Sequence, residues 1–337
     1  MVLRALEHLP DGLLLRRLIS VDENRSRDPK QTGCNRRSAG IDDSAAVYDP
    51  TAAGVGYRRL DERGIFDPAV HFHRVSSMRF LFLGDIVGKP GFSAVTQFIN
   101  QIRREQKVDA VVVNAENAAD GSGLTPKQHD GLIDAGVDGI TLGDHIYRRK
   151  EIIPTLQRSQ QIVKPANYPS SATGRTHMTI KTRKGTLGVI SVMGRTFMKP
   201  CDDPYEAVDR EIELLSPHVD AILIDVHAEA TSDKQSIARH VDGRVTAVLG
   251  THTHVPTGDA RVLPGGTALM CDVGMCGPYE SIIGRDIQRV LTTSRTAEPV
   301  PFHVATDDVR LCGAVVESDE DGMAISIDPF EFRDVRL

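Results

Sequence analysis

The sequence predicts an α/β fold, a layered sandwich of mixed β-sheets flanked by helices. Three observations carry that expectation. From Arg79 onward, short runs rich in Val and Ile alternate with amphipathic stretches. The runs are bounded by Gly, Asp or Asn, as buried strands are. Toward the C-terminus strand-like segments follow one another with little helix between them, which requires antiparallel as well as parallel neighbours.

Taken in order, the first strand runs from Arg79 to Leu83 and the helix Phe92 to Arg104 follows it. Ala110 to Val113 is a second strand; Thr125 then caps a helix over Pro126 to Ala135, with proline at its first position. Gly139 to Leu142 and Leu187 to Val192 are strands. Asp203 caps the helix Pro204 to Leu215, which leads to the strand Ala221 to Ile224, the helix Ser232 to His240 and the strand Val245 to Leu249. Arg261 to Leu263, Ala268 to Asp272, Val309 to Glu317 and Met323 to Ile327 complete the sheets.

Residues 1–77 differ in kind. Basic and acidic side chains are scattered there among Ser, Gly and Pro, and Asp22 to Pro50 shows neither helical nor strand periodicity. The expectation is a disordered extension, with a short amphipathic helix around Leu3 to Leu18, in front of one folded domain over residues 78–337. A regulatory arm is the alternative for that extension.

Composition narrows the function classes. Of the 337 residues, 40% are hydrophobic and 26% charged, and no apolar stretch reaches the roughly 18 residues of a membrane helix. A net charge of -6 gives no global positive field for nucleic acid or an anionic membrane. The five cysteines lack CxxC spacing, which argues against a disulfide framework and a zinc knuckle. With no basic and apolar leader at the start, the expected location is the cytoplasm. A homo-oligomer is compatible with all of this.

The ends of the strands carry the chemistry. Leu81-Phe82-Leu83-Gly84 leads to Asp85, Val111-Val112-Val113-Asn114-Ala115 to Glu116-Asn117, and Thr141-Leu142-Gly143 to Asp144-His145. Ile222-Leu223-Ile224-Asp225-Val226 leads to His227, and Val248-Leu249-Gly250-Thr251 to His252-Thr253-His254. Singly, each of these is as readily a turn former or a satisfied core histidine. Five strand ends with the same chemistry are not explained as turns, and ligands bind beyond the carboxyl ends of strands in open α/β sheets. Asp, Glu, Asn and several His together make the ligand set of a dinuclear transition-metal site, in which carboxylates bridge and imidazoles suit Zn, Fe, Mn or Co.

Gly84-Asp85, Asn114-Ala115-Glu116-Asn117, Gly143-Asp144-His145, His227 and Gly250-Thr251-His252-Thr253-His254 resemble, in this order, the motifs of the calcineurin-like metallophosphoesterase superfamily. Within it the chain is similar to the bacterial YmdB-like branch, whose members are described as cyclic-nucleotide phosphodiesterases. Gly84 to Gly91, His227 to Lys234 and Asp272 to Tyr279 add to the likeness, which runs from about Met78 to the C-terminus. The resemblance implies a first metal held by Asp85, Asn117 and His254, with Glu116 bridging to a second held by Asp144, His227 and His252. It implies Fe, Mn or Zn as the two cations and His145 as the acid near the leaving group. The superfamily's histidine two residues after its first Asp is Val87 here, a change the branch shares; the branch's Asn-His-x-Trp is Asp144-His145-Ile146-Tyr147. Asp in place of Asn adds negative charge beside the second metal.

The expected reaction is hydrolysis of small cyclic nucleotides, 2',3'- or 3',5'-linked, by a hydroxide shared between two cations, with His145 protonating the departing ribose oxygen. Thr231, Lys234 and Arg195 are candidates for binding phosphate oxygens; an N-cap and surface ion pairs are their alternatives. A phosphomonoesterase or nucleotidase with the same metals, and a non-catalytic regulatory or RNA-associated metal protein, remain as competing functions. Gly84 to Gly91 lacks the spacing of a dinucleotide fingerprint or a P-loop.

Overall fold

A computed structural model describes residues 77–333 and Val335. The expected N-terminal extension, its short helix and Cys34 lie outside the described residues. The strands are β1 (Arg79–Leu83), β2 (Asp85–Ile86), β3 (Ala110–Asn114), β4 (Gly139–Thr141), β5 (Ile162–Val163), β6 (His177–Thr182), β7 (Gly185–Met193), β8 (Ala221–His227), β9 (Ala247–Thr251), β10 (Arg261–Val262), β11 (Ala268–Met270), β12 (Met275–Pro278), β13 (Val309–Ser318) and β14 (Ala324–Phe332). The helices are α1 (Gly88–Gln106), α2 (Pro126–Ala135), α3 (Ile153–Arg158), α4 (Pro204–Leu215), α5 (Thr231–His240) and α6 (Ile287–Thr296).

Two mixed sheets form. One has the order β2-β12-β13-β1-β3-β4-β5, with β14 also paired to β13; the other has the order β10-β11-β9-β8-β7-β6. In the first, β1, β3, β4 and β5 run parallel and β13 is antiparallel to β1. In the second, β7, β8, β9 and β11 are parallel, with antiparallel β6 and β10 at the edges.

Alternation along the strands builds the layers. Phe80, Phe82, Ala110 and Val112 point one way and meet Leu187, Val189, Leu223, Ala247, Leu249 and Met270, so one apolar layer lies between the sheets. Leu81, Leu83, Val111 and Val113 point the other way, onto Ala94, Val95, Ile99 and Ile102 of α1 and Leu132 of α2. Ile190, Val192, Ile222, Ile224 and Val226 pack the far face of the second sheet on Ala207, Val208 and Ile212 of α4 and Ile237 of α5. The result is helix, sheet, sheet, helix.

Thr125 closes a capping box with Gln128 at the start of α2, and Asp203 caps α4. Helix α1 begins at Gly88 rather than Phe92, because Gly88 takes φ 60° to leave β2 and Gly91 passes close to the Cys276 carbonyl. Helix α6 interrupts what the sequence suggests is a run of strands; Ile287, Val290 and Leu291 share one face of it, but none of its residues is buried.

Candidate metal centre

The parallel strands of both sheets end on one rim. β1 gives way through Gly84 to Asp85, β3 precedes Glu116 and Asn117, and β4 precedes Asp144 and His145. From the facing sheet, β8 ends on His227, and β9 leads into His252 and His254. Gly143 explains why a glycine stands before Asp144: a Cβ there would lie 2.2 Å from a ring carbon of His227.

One donor atom each from Glu116, Asp144, His227 and His252 lies within 4.8 Å of the others. His227 Nε2 is 3.2 Å from Glu116 Oε1 and 3.6 Å from Asp144 Oδ1. His252 Nδ1 stands 3.0 Å from His227 Nε2. A second group adjoins through Glu116. Asn117 Nδ2 is 3.3 Å from Glu116 Oε1, 3.3 Å from Asp85 Oδ1 and 3.2 Å from His254 Nε2. His145 stands at the join, its backbone N–H donating to Glu116 Oε2 and its Nδ1 lying 2.7 Å from Asn117 Oδ1.

Each of the three other imidazoles is fixed through the nitrogen that faces away from the cluster. His227 Nδ1 meets Thr251 Oγ1 at 2.8 Å, His252 Nε2 meets Glu229 Oε2 at 3.2 Å and His254 Nδ1 meets the Ile283 carbonyl at 3.0 Å. A ring held in this way presents its other nitrogen as a lone pair, the arrangement of a metal-ligating histidine. Thr251 in turn donates to Asp225, whose carboxylate also takes Thr141 and Asn114, so that a buried polar network joins the two sheets beneath the cluster. Burial pushes the Asp225 carboxyl up to about 6 despite these partners.

The electrostatics suit cations. Burial pushes the Glu116 carboxyl up, but the His227 charge and hydrogen bonds from His145 and His227 hold it well below the usual range. Burial also opposes ionisation of Asp144, and its contact with His227 overrides this, bringing it down to about 2. Burial lowers the His227 imidazole, while Glu116 and Asp144 lift it well above its ordinary value; burial and the neighbouring His227 lower His252. Asp144 Oδ1 is buried without a hydrogen-bond partner. An orphaned carboxylate oxygen beside two imidazole nitrogens in close approach fits a divalent cation, whose entry displaces the proton favoured on His227. The second group needs one adjustment. Asn117 turns its NH2 toward Asp85, Glu116 and His254, so its amide must turn over to offer oxygen to a cation.

All eight residues expected at the metal centre are thus brought together, His145 included. Thr231, Lys234 and Arg195 are not among them. Thr231 opens α5 on the surface, and Arg195 is exposed and paired with Asp203. Lys234 is neither a surface residue nor a cap: it is fully buried and paired with the equally buried Asp272 at 2.9 Å. Asp272 also accepts the backbone N–H and hydroxyl of Thr253, which lies between His252 and His254. That bond matters because both histidines take positive φ, 93° and 65°. Two residues at the site are absent from the sequence-based expectation: Lys199, whose Nζ is 3.1 Å from Asp144 Oδ2, and Glu229, two residues beyond His227. An i+2 carboxylate after a strand-end histidine is a signal for Glu229; Lys199 has none.

The family model of the YmdB-like protein matches residues 81–330. The chain is 42% identical over 243 residues to the 2',3'-cyclic-nucleotide 2'-phosphodiesterase of Bacillus subtilis, covering 72% of this chain and 92% of that one. It is similar to a Thermus thermophilus crystal structure described as a hypothetical protein, at 42% identity and a TM-score of 0.71 over 76% of this chain and 99% of that one. A crystal structure described as a novel phosphatase of Mycoplasma pneumoniae matches at 31% identity and a TM-score of 0.72, over 77% and 94% of the two chains. With the family's match spanning most of the folded residues and the Bacillus subtilis relative 42% identical over 72% of the chain, the chain belongs to the YmdB-like family.

Proposed function

We propose that this protein is a metal-dependent phosphodiesterase that hydrolyses 2',3'-cyclic nucleotides with two divalent cations, Fe, Mn or Zn, and His145 as general acid. The observation that carries the reading is the pair of donor groups sharing Glu116, each imidazole anchored from behind, with a further histidine at the join. Glu229, 3.2 Å from His252, completes the same pattern of anchoring. The similarity to the Bacillus subtilis enzyme supports the substrate class. Asp144, His227 and His252 would hold one cation, Asp85, Asn117 and His254 the other, and Glu116 both. Bound there, the cations supply Lewis acidity and a nucleophile at neutral pH.

The chain's own residues do the rest. Buried Glu116 and Asp85 bring fixed negative charge to the floor of the site, and the sheet-joining network under it keeps the ligands from spreading. His145 Nδ1 faces the Asn117 side-chain amide; once that amide turns its oxygen to a cation, its NH2 donates to Nδ1 and the imidazole proton sits on Nε2, from which it can pass to the departing ribose oxygen. Its side chain is 25% exposed, so a substrate can reach it. No described helix is long and apolar enough to cross a membrane, and the described cysteines are all free; we place the protein in the cytoplasm.

A panel of substrates offered to purified protein of measured metal content tests the proposal. Turnover of 2',3'-cyclic nucleotides above 3',5'-cyclic nucleotides and above nucleoside monophosphates is expected. Release of phosphate from monophosphates without diester cleavage would replace the proposal by the nucleotidase reading.

A further inference from the structure

The segment between β7 and α4, residues 194–203, is pinned at both ends and free at its tip. At one end Asp233 accepts the backbone N–H groups of Arg195 and Thr196 at 2.8 and 2.9 Å, and the Thr196 hydroxyl at 2.8 Å. The Asn167 amide spans both ends, donating to the Met193 carbonyl just before the segment and to the Asp202 carbonyl near its far end. Between them Phe197 is 89% exposed and takes φ 62°. A bulky residue in the left-handed region is strained, and an aromatic ring left in water gains nothing in folding. Both costs fall on one residue at the tip of an anchored loop, where strain marks function more often than packing.

Two residues further on, Lys199 places that tip at the metal centre. Its Nζ is 3.1 Å from Asp144 Oδ2 and 3.3 Å from the Asp144 carbonyl, and its side chain is 56% exposed. With its ammonium end open to solvent, the pair can exchange partners. A cation on Asp144 Oδ1 would weaken the hold of Oδ2 on the ammonium by charge repulsion and free it toward an anion in the site.

We infer that Phe197 and Lys199 form the substrate-recognition element, Lys199 pairing with the phosphate and Phe197 stacking on the nucleobase. The inference rests on the phosphodiesterase reading for the identity of the substrate but not for the binding itself. A ligand that satisfies both residues needs a negative charge and a flat apolar face in one molecule, which is the make-up of a nucleotide. A protein partner would cover Phe197 without using the ammonium held at the metal centre. Stacking on one aromatic face is tolerant of base identity, so the element selects nucleotides over other phosphodiesters without choosing among bases.

Calorimetry on the full-length, metal-loaded protein tests this with two probes, adenosine 3'-monophosphate and inorganic phosphate. Phe197→Ala is expected to weaken the nucleotide about tenfold and leave phosphate binding as in the parent, with Phe197→Trp restoring the nucleotide. Lys199→Ala is expected to weaken both probes to a similar degree while metal content is retained. A parent that binds the nucleotide no more tightly than phosphate, or a Phe197→Ala variant equal to the parent, would overturn the base contact. Unchanged phosphate binding in Lys199→Ala would overturn the phosphate contact. Base-dependent binding without hydrolysis of any cyclic nucleotide would instead sink the proposed reaction and leave this inference standing.

Discussion

Replacing Lys234 by methionine removes one partner of a fully buried ion pair that lies behind the ligand loop, not in it. The Lys234 ammonium donates to Asp272 Oδ2 at 2.9 Å, and the same oxygen takes the Thr253 N–H at 3.0 Å and its hydroxyl at 2.7 Å. Without the lysine, Asp272 keeps an uncompensated charge at zero exposure, which costs about 3–5 kcal/mol of stability. The consequence would reach the proposed metal site because Thr253, bonded to Asp272, lies between His252 and His254, whose positive-φ conformations are each worth about 1–3 kcal/mol of strain. Loss of such a supporting contact lowers metal affinity about 10–100-fold. Urea unfolding and competition with a chelator measure the two effects separately. In Lys234→Met combined with Asp272→Asn, the neutral amide needs no counter-charge and its oxygen still accepts from Thr253, so both properties should recover in part. A Lys234→Met protein with lowered stability and parental metal affinity would refute the link between the ion pair and the ligand loop.

Three further outcomes are expected. His145→Ala should keep its metals and lose about 10²–10⁴-fold in turnover of a cyclic nucleotide, but much less on a nitrophenyl diester whose leaving group needs no proton; equal losses would make His145 a positioning residue. Asp144→Asn should keep the site assembled and shift metal preference or rate, whereas Asp144→Ala should lose the second metal, and equal occupancy in the parent and the alanine variant would count against its role as a ligand. A protein beginning at Met78 should fold, take up metal and turn over substrate like the full chain; insolubility or an inactive folded product would show that residues 1–77 contribute.

Much of the site is legible in the sequence because chemistry there is tied to period and position. Buried strands such as Val111-Val112-Val113 declare themselves by composition, and the polar pairs at strand ends, Glu116-Asn117 or Asp144-His145, have no packing role that a hydrophobic residue would not fill better. The features that stay hidden depend on long-range contact. Lys234 looks like a helix N-terminal surface lysine until Asp272, 38 residues away, is seen beside it. Lys199 sits on a loop with no periodicity, and its approach to Asp144 is set by Asp233 and Asn167 from elsewhere in the chain. The short strands β2, β5 and β12 carry too few residues for alternation to show.

The proposed dinuclear centre is tested most directly by anomalous diffraction from crystals of the metal-loaded protein, with data on both sides of the absorption edge of the metal found by elemental analysis. Two peaks are predicted, one among Asp144, His227 and His252 and the other among Asp85, Asn117 and His254, with Glu116 between them. A single peak, or peaks away from Glu116, would contradict the account.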